Sequence, residues 1–232
     1  MKKNALITGA SSEIIFKIVE SLQEEYHLIL IEHNSLVNTK NLKEIPDVYK
    51  CDLNDKEDLE KIITEIKNKY KQIDLIINGA AYSKDNEIDN ILINDLENAF
   101  KINVIAPFYI IKKLYNNNLK VINILSTDGI DTFNEYNLPY ATSKSALLHL
   151  TKQLAYIYKD IHIYGLVLNY VDTKTTKEMN QDFLEKEMKR INQKYLIKIE
   201  SIIQVIKNII NSNEKNGTII RMDDNNEYKK IN

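Results

Sequence analysis

The sequence predicts an α/β fold: a single doubly wound parallel sheet of about seven strands, with helices on both faces. Two observations predict it. Short apolar runs alternate along the chain with longer amphipathic stretches. The apolar runs, such as Leu28-Ile29-Leu30-Ile31, are continuous, as expected for parallel strands buried on both faces. A chain of 232 residues without an internal repeat or a low-complexity linker is expected to form one domain, residues 1–232.

The predicted strands are short apolar runs bounded by turn or polar residues. In chain order they are Ala5–Thr8, His27–Ile31, Val48–Cys51, Leu75–Asn78, Val121–Leu125, Ile161–Leu168 and Gly217–Met222. The predicted helices carry apolar residues at three- and four-residue spacing, as Ile14, Ile18 and Leu22 do in the first of them. In chain order they are Ser12–Glu25, Lys56–Tyr70, Asp95–Asn116, Tyr140–Tyr158 and Ile199–Asn211. Short strand–helix connections imply right-handed crossovers.

The composition limits which kinds of partner and which cellular location are expected for the protein. The formal net charge is -2, which gives no excess of positive charge for nucleic acid or for an anionic membrane surface. Cys51 is the only cysteine, so no internal disulfide forms, and a cytoplasmic protein is expected. The apolar run after Asn4 is too short for a signal peptide, and no stretch approaches the roughly 20 apolar residues of a membrane span.

The turn after the first strand is a candidate phosphate site. It reads Thr8-Gly9-Ala10-Ser11-Ser12 and leads directly into a helix. Glycine lets backbone approach a phosphate, and a helix N-terminus offers unpaired N–H groups and a favourable dipole. Ser11 and Ser12 add hydroxyl donors. The alternative is structural: Gly9 makes a tight turn and Ser12 caps the helix.

Polar groups at the ends of the next strands extend this site. Glu32 ends the second strand, where a carboxylate accepts from both ribose hydroxyls and repels a 2′-phosphate, favouring NAD over NADP. His33 partly offsets this, so NADP is not excluded; alternatively, Glu32 is a solvated acid. Asp52 suits the adenine amino group while Leu53 covers the ring, or else Asp52 or Asn54 caps the following helix.

The segment Tyr140-Ala141-Thr142-Ser143-Lys144 is the most specific feature. Residues four apart share a helix face, so the phenol and the ammonium project into one space, where the ammonium stabilises a phenolate for acid–base catalysis. Ser126 follows the fifth strand, at the sheet edge where ligands of α/β folds bind. Asn103 is a polar residue in an otherwise apolar helical stretch. Each residue alone has an ordinary structural explanation; their joint occurrence favours a catalytic site.

These motifs make the chain resemble the short-chain dehydrogenase/reductase family over nearly its whole length. The resemblance implies a Rossmann-like fold and an oxidoreductase that transfers hydride between NAD(P) and an alcohol or carbonyl substrate. It implies the catalytic residues Asn103, Ser126, Tyr140 and Lys144. It implies the cofactor-binding residues Gly9, Ser11, Ser12, Ile14, Glu32, Asp52, Leu53, Asn78, Ala80, Tyr140, Lys144, Val171 and Thr173.

The resemblance also implies a role for each catalytic group. Tyr140 exchanges a proton with the substrate oxygen, and Ser126 donates a hydrogen bond to that oxygen. Lys144 lowers the pKa of Tyr140 and binds the nicotinamide ribose. Asn103 holds a water that links Lys144 to solvent.

Three departures from the family pattern affect residues that are expected to bind the cofactor. Glu13-Ile14-Ile15 replaces Gly-Ile-Gly, and Ile15 adds bulk where helix, strand and cofactor crowd together. Gly79 and Ala81 stand where Asn and Gly are common, and Leu168-Asn169 replaces Pro-Gly. The alternative function is therefore a degenerate, non-catalytic member that acts as a nucleotide sensor or an interaction scaffold.

The resemblance carries three further expectations. The segment from Asp172 to Leu196 forms a mobile lid over a small-molecule alcohol or carbonyl substrate, which includes a sugar or polyol as a hypothesis. The helices Asp95–Asn116 and Tyr140–Tyr158 pair with copies of themselves in a homodimer or homotetramer, through the apolar residues Phe100, Phe108, Tyr109, Leu147, Leu150 and Leu154. From the residues themselves, the four histidines have no spacing for a metal site, so no metal is expected.

Overall fold

The computed structural model describes residues 2–212 and 214–231 of the chain. Eight strands form one sheet in the order β3-β2-β1-β4-β5-β6-β7-β8. The strands are β1 Lys3–Thr8, β2 Tyr26–Glu32, β3 Asp47–Lys50, β4 Leu75–Asn78, β5 Lys120–Ser126, β6 His162–Leu168, β7 Ile219–Met222 and β8 Tyr228–Ile231. All neighbours are parallel except β7 and β8. The predicted doubly wound parallel sheet is confirmed, with one additional antiparallel strand at its edge.

The helices connect these strands and cover both faces of the sheet. They are α1 Glu13–Leu22, α2 Lys56–Lys69, α3 Ile93–Phe100, α4 Ala106–Leu114, α5 Leu138–Ile157, α6 Lys174–Glu178, α7 Gln181–Arg190 and α8 Ile199–Asn211. One hydrophobic core includes α1, α8 and one face of the sheet, and a second includes α2, α4, part of α5 and the opposite face. A smaller third cluster consists of Leu125, Leu147, Val167 and Ile219. None of the helices in the described part of the chain is both long enough and apolar enough to cross a membrane.

Two elements differ from the sequence prediction. The predicted helix Asp95–Asn116 is α3 and α4 joined by a π-helical turn, Lys101–Ile105, which leaves the apolar spacing almost unchanged and so has no signature in the pattern. The segment from Asp172 to Leu196 contains two helices, α6 and α7, separated at Met179 and Asn180.

Parallel pairing brings the carboxyl ends of the central strands to one edge of the sheet. Thr8, Glu32, Asn78, Ser126 and Leu168 are the last residues of β1, β2, β4, β5 and β6. Open α/β sheets bind their ligands at this edge. Polar residues that lie far apart in the sequence therefore meet there.

Candidate active site

A cavity of about 390 Å³ lies at this sheet edge, around the turn between β1 and α1. Its walls include most of the predicted cofactor-binding residues: Gly9, Ser11, Ser12, Glu32, Asp52, Leu53 and Ala80. The sequence reasoning missed the contributions of Asn34, Ser35 and Ile102 to the same wall. Asn34 and Ser35 follow Glu32 directly, so their position after a strand end was the available signal.

The turn itself has the geometry that a phosphate site needs. Gly9 has a φ of +78°, and a Cβ there would lie 2.5 Å from the backbone nitrogen of Ala80, so only glycine fits. Ser12 is the N-cap of α1 and accepts from the Ile15 N–H at 3.4 Å. Thr8 Oγ1 accepts from the N–H groups of Gly79 and Ala80 at 3.2 and 3.1 Å, which joins the ends of β1 and β4.

Ile15 does not obstruct this cavity. Its side chain is only 2% exposed and packs over Gly79, where a Cβ would lie 2.4 Å from Ile15 Cδ1. Two of the departures noted in the sequence therefore compensate each other: the side chain missing at Gly79 makes room for the one added at Ile15. The residues around the turn fit a dinucleotide cofactor.

Glu32 and Asp52 both reach the cavity with part of their hydrogen-bonding capacity in use. Glu32 Oε2 accepts from the Val37 N–H at 2.8 Å, and no bond among the described residues engages Oε1. Asp52 Oδ1 accepts from the Asn54 N–H at 2.9 Å within a turn. The alternative that Asp52 or Asn54 caps α2 is wrong, because Asp55 caps it by accepting from two N–H groups of the first turn.

A second cavity, of about 290 Å³, lies over β5 and β6 at the same edge. Ser126 and Tyr140 line it, together with Ile14 and Val171 from the predicted cofactor set. Ser126 Oγ accepts from the Asp128 N–H at 3.2 Å. Met179 and Phe183 also line this cavity, so the predicted lid segment supplies part of its wall.

The Tyr140–Lys144 pair shares a helix face as predicted, but its electrostatics differ from expectation. Lys144 Nζ lies 5.5 Å from the centre of the Tyr140 ring and donates to the carbonyl of Ile124 at 2.7 Å. Burial raises the pKa of Tyr140 to about 12, and the Ser126 hydroxyl only partly opposes this. Burial also lowers the pKa of Lys144 to about 8. The expected lowering of the phenol pKa is therefore not met, because burial disfavours the charged form of each group.

Asn103 is fully buried in the π-helical turn, with all its side-chain groups engaged. Its Oδ1 accepts from the Tyr82 N–H at 2.7 Å, and its Nδ2 donates to the Tyr82 carbonyl at 3.0 Å and to Ser143 Oγ at 2.8 Å. The side chain thus ties the loop after β4 to α5 beside Lys144. The water link through Asn103 stays a prediction.

Three predicted cofactor residues lie outside the lining of both cavities: Asn78, Thr173 and Lys144. Asn78 turns away into the sheet, where its Nδ2 donates to Asn123 Oδ1 at 2.8 Å and Asn123 in turn donates to Thr151 at 2.9 Å. Thr173 caps α6, accepting from the Thr176 N–H at 3.2 Å. Asn78 Nδ2 and the Thr173 hydroxyl are engaged in local bonds, and the assignment of these residues as cofactor contacts stays a prediction.

Other polar residues of the second cavity escaped the sequence reasoning. Asp128 could have been found, because it lies two residues after Ser126 at the same strand end. Arg190 lies on α7, within the predicted lid segment, whereas Asp85 comes from the loop after β4 and has no such signal. Within residues 2–212 and 214–231, no group of three or more His, Cys, Asp or Glu side chains is placed to hold a metal ion.

Glu13, the acid that departs from the family pattern, links the first turn to the lid segment. Its Oε2 accepts from the backbone N–H of Lys174, the first residue of α6, at 2.7 Å. The carboxylate therefore turns toward α6 and joins two elements that border the second cavity.

Known proteins similar to the chain show the family to which it belongs. The chain matches the short chain dehydrogenase family model over residues 3–184. It is 27% identical to a 3-oxoacyl-[acyl-carrier-protein] reductase of Buchnera aphidicola subsp. Schizaphis graminum, over 92% of this chain and 91% of that protein.

Solved structures share the fold. A 4-hydroxyisoleucine dehydrogenase complexed with NADH superposes with a TM-score of 0.84 at 20% identity, over 96% of this chain and 97% of that one. A gluconate 5-dehydrogenase from Burkholderia cenocepacia, in complex with NADP and tartrate, gives 0.83 at 19% identity over 97% and 95%. The predicted family and reaction class are confirmed: the chain belongs to the short-chain dehydrogenase family and is an NAD(P)-dependent oxidoreductase that moves a hydride between its cofactor and an alcohol or carbonyl carbon.

Proposed function

We propose that Tyr140, Ser126 and Lys144 carry the acid–base chemistry of a carbonyl reduction. The observation that carries this proposal is the placement of Ser126 and Tyr140 on one cavity wall, at the same sheet edge as the cavity around the Gly9 turn. Burial raises the pKa of Tyr140 to about 12, so the phenol keeps its proton at neutral pH. A protonated phenol is the form that donates to a carbonyl oxygen.

Each residue then has a defined task. Ser126 donates a hydrogen bond to the substrate oxygen and holds it beside Tyr140, which transfers its proton as that oxygen gains charge. Lys144 stabilises the resulting phenolate from the same helix face. Asn103 holds the segment of α5 that carries Lys144, through its bond to Ser143. The nicotinamide cofactor supplies the hydride.

We propose NAD as the preferred cofactor. Glu32 lines the first cavity with one carboxylate oxygen free of bonds from described residues, as two ribose hydroxyls require. A 2′-phosphate there would meet a negative charge. Titration of NADH and NADPH by cofactor fluorescence tests this preference, and equal affinities for the two would contradict it.

The substrate proposed is a small alcohol or carbonyl compound with polar substituents, and a sugar or polyol fits this description. The second cavity carries polar groups that suit hydroxyls, including Asn134, Asn137 and Tyr170. Comparing the turnover of sugars with that of simple ketones tests this class.

No observation on the described residues favours the non-catalytic alternative, because Ile15 leaves the cavity around the Gly9 turn open.

Replacing Tyr140 with Phe tests the central assignment. The change removes only the hydroxyl, so we expect kcat to fall by about 10²- to 10⁴-fold, the range of general acid catalysis, while NADH binding persists. Tyr156→Phe is the matched control, since Tyr156 lies on the same helix and is 74% exposed. Turnover of the Tyr140 variant close to that of the control would remove Tyr140 from the mechanism.

A further inference from the structure

One wall of the second cavity is rich in hydrogen-bond acceptors. Asp85, Asp128 and Asn137 all line it, together with Ser126 and Tyr140. Asp128 lies next to the proposed reacting groups, because its backbone N–H donates to Ser126 Oγ at 3.2 Å. A substrate whose oxygen lies against Ser126 therefore occupies the same cavity as Asp128.

Asn137 supplies an acceptor without a partner. It occupies the N-cap position of α5, yet its side chain makes no cap bond. Its Nδ2 donates instead to Asp128 Oδ2 at 2.8 Å, which fixes the orientation of the amide. Its Oδ1 is buried and has no hydrogen-bond partner among the described residues, and the residue is only 7% exposed. A buried acceptor without a donor costs free energy, so a donor on the ligand is the natural complement.

The two carboxylates in this cavity also lack cationic partners. Asp128 accepts from Thr132 Oγ1 at 2.6 Å and from Asn137, both neutral groups. Among residues 2–212 and 214–231, neither Asp85 nor Asp128 forms an ion pair. Burial and the nearby Asp128 raise the pKa of Asp85, as expected for two acids that share one space.

The positive groups near the cavity are already engaged. Arg190 donates from Nη2 and Nε to Glu187 Oε2 at 2.7 and 3.0 Å, and its Nη1 donates to the Phe133 carbonyl. Lys144 donates to the Ile124 carbonyl. Since Arg190 and Glu187 balance each other, the cavity presents net negative charge to a substrate.

We propose that the substrate carries a protonated amino group close to its reacting carbonyl carbon, as amino ketones and amino sugars do. The inference rests on the proposed function for the redox step. In that step the cofactor's hydride goes to the carbonyl carbon and the Tyr140 proton goes to the oxygen, so the ketone becomes an alcohol and NADH becomes NAD⁺. The ammonium is unchanged; Asp128 and Asp85 balance its charge, and Asn137 Oδ1 accepts one of its N–H bonds.

Three ketones of equal size test the charge preference: aminoacetone, hydroxyacetone and pyruvate carry a cation, a neutral group and an anion beside the carbonyl. Their NADH-dependent turnover is measured at slightly acidic pH, where the amine is protonated. Their binding to the enzyme–NADH complex is measured separately, by cofactor fluorescence with the Tyr140→Phe variant. We expect both kcat/KM and affinity to favour aminoacetone over hydroxyacetone by about tenfold, the value of a charge-assisted bond, with pyruvate lowest.

Substitutions of the two carboxylates test whether they cause the preference for aminoacetone. Asp128→Asn and Asp85→Asn keep the shape of each side chain, and each is expected to lower the aminoacetone-to-hydroxyacetone ratio by about tenfold. Asp89→Asn, the same change at an acid on the loop after β4 that lies outside the cavity lining, should leave the ratio unchanged.

The two readouts separate this inference from the proposed function. A preference for aminoacetone in binding, lost in both cavity variants, supports the inference even if turnover is absent, an outcome that would count only against the proposed reaction. Turnover with equal or better use of hydroxyacetone or pyruvate overturns the inference and leaves the reaction standing. Absence of any preference in binding overturns it as well.

Discussion

At the scale of single residues, the pairing of Ile15 with Gly79 explains how an altered turn keeps its cavity. Sequence comparison with the family pattern identifies both positions as departures, but only their contact shows that they offset each other. The same holds for Tyr140 and Lys144: helix spacing predicts their shared face, whereas their pKa directions depend on burial, which spacing does not reveal.

A double-mutant cycle tests the Ile15–Gly79 contact. Gly79→Ala places a methyl group 2.4 Å from Ile15 Cδ1, so we expect overpacking to lower the free energy of unfolding by about 1–3 kcal/mol and to weaken NADH binding. In the Ile15→Ala background the same change should cost about 1 kcal/mol less.

Chemical denaturation of the four proteins measures this coupling. Ile18→Ala combined with Gly79→Ala is the control, because Ile18 is buried on the same helix and is not among the nearest neighbours of position 79. If Ile15→Ala and Gly79→Ala have additive effects on the free energy of unfolding, the side chains at the two positions do not compete for the same space.

At the scale of elements, a polar clamp holds the edge strand β3 to β2 and α2. Asp47, the first residue of β3, accepts from His27 Nε2 and Lys69 Nζ, both at 2.8 Å, and from the Tyr70 hydroxyl. Partial burial opposes ionisation of Asp47, but the bonds from Lys69, Tyr70 and His27 outweigh it and lower its pKa to about 2. The clamp fastens one end of the strand pair that carries Glu32 at its other end.

This clamp makes stability depend on pH in a defined direction. The pKa of Asp47 is lower in the folded chain than the usual value of about 4, so its contribution is full above pH 4 and is lost as the pH falls toward 2. Asp47→Asn should cost about 1 kcal/mol at neutral pH, after allowance for solvent screening.

Urea unfolding of the wild type and of Asp47→Asn across acidic pH measures the difference, with Asp89→Asn as the control. A gap between wild type and variant that stays constant from pH 6 to the lowest pH at which the chain folds would contradict the assignment of this clamp.

The sequence predicts some strands and helices better than others, and the reasons are physical. The strands β1, β2, β4, β5 and β6 are mostly apolar and mostly buried, and a strand buried on both faces needs no other signal. Strand β8 was missed because Tyr228, Lys229 and Lys230 are exposed at the sheet edge and give no apolar run. The π-helical turn around Asn103 was missed because one extra residue per turn changes the apolar spacing too little to detect.

At the scale of the whole molecule, all strands in the described part of the chain belong to one sheet, which supports our proposal that residues 1–232 form one domain. The predicted association surface needs revision. Leu147 and Leu154 are buried in the chain's own cores, so neither is available to a second copy. Ile105 and Phe108, three residues apart, are 53% and 37% exposed and lie on one helix face.

We propose that this face, formed by Ile105 and Phe108, pairs with a second copy of the chain. Light scattering should then give about twice the chain mass of 27.0 kDa, or four times in a tetramer. Phe108→Asp should shift the measured mass toward the monomer, because the change buries an unpaired charge. Phe133→Asp, at an exposed residue of the loop before α5, is the control. A wild-type chain that scatters as a monomer would refute the proposal.

The bond from Glu13 to the Lys174 N–H has a consequence for how the substrate enters. It anchors the first residue of α6 to the N-terminus of α1, so α6 is held against the nucleotide side of the molecule. We propose that the predicted lid motion pivots beyond that anchor, at Met179 and Asn180, and moves α7 with Phe183 and Arg190 away from the cavity. Amide exchange should accordingly be faster in α7 than in α6, and removing the anchor with Glu13→Ala should shift the pivot toward β6.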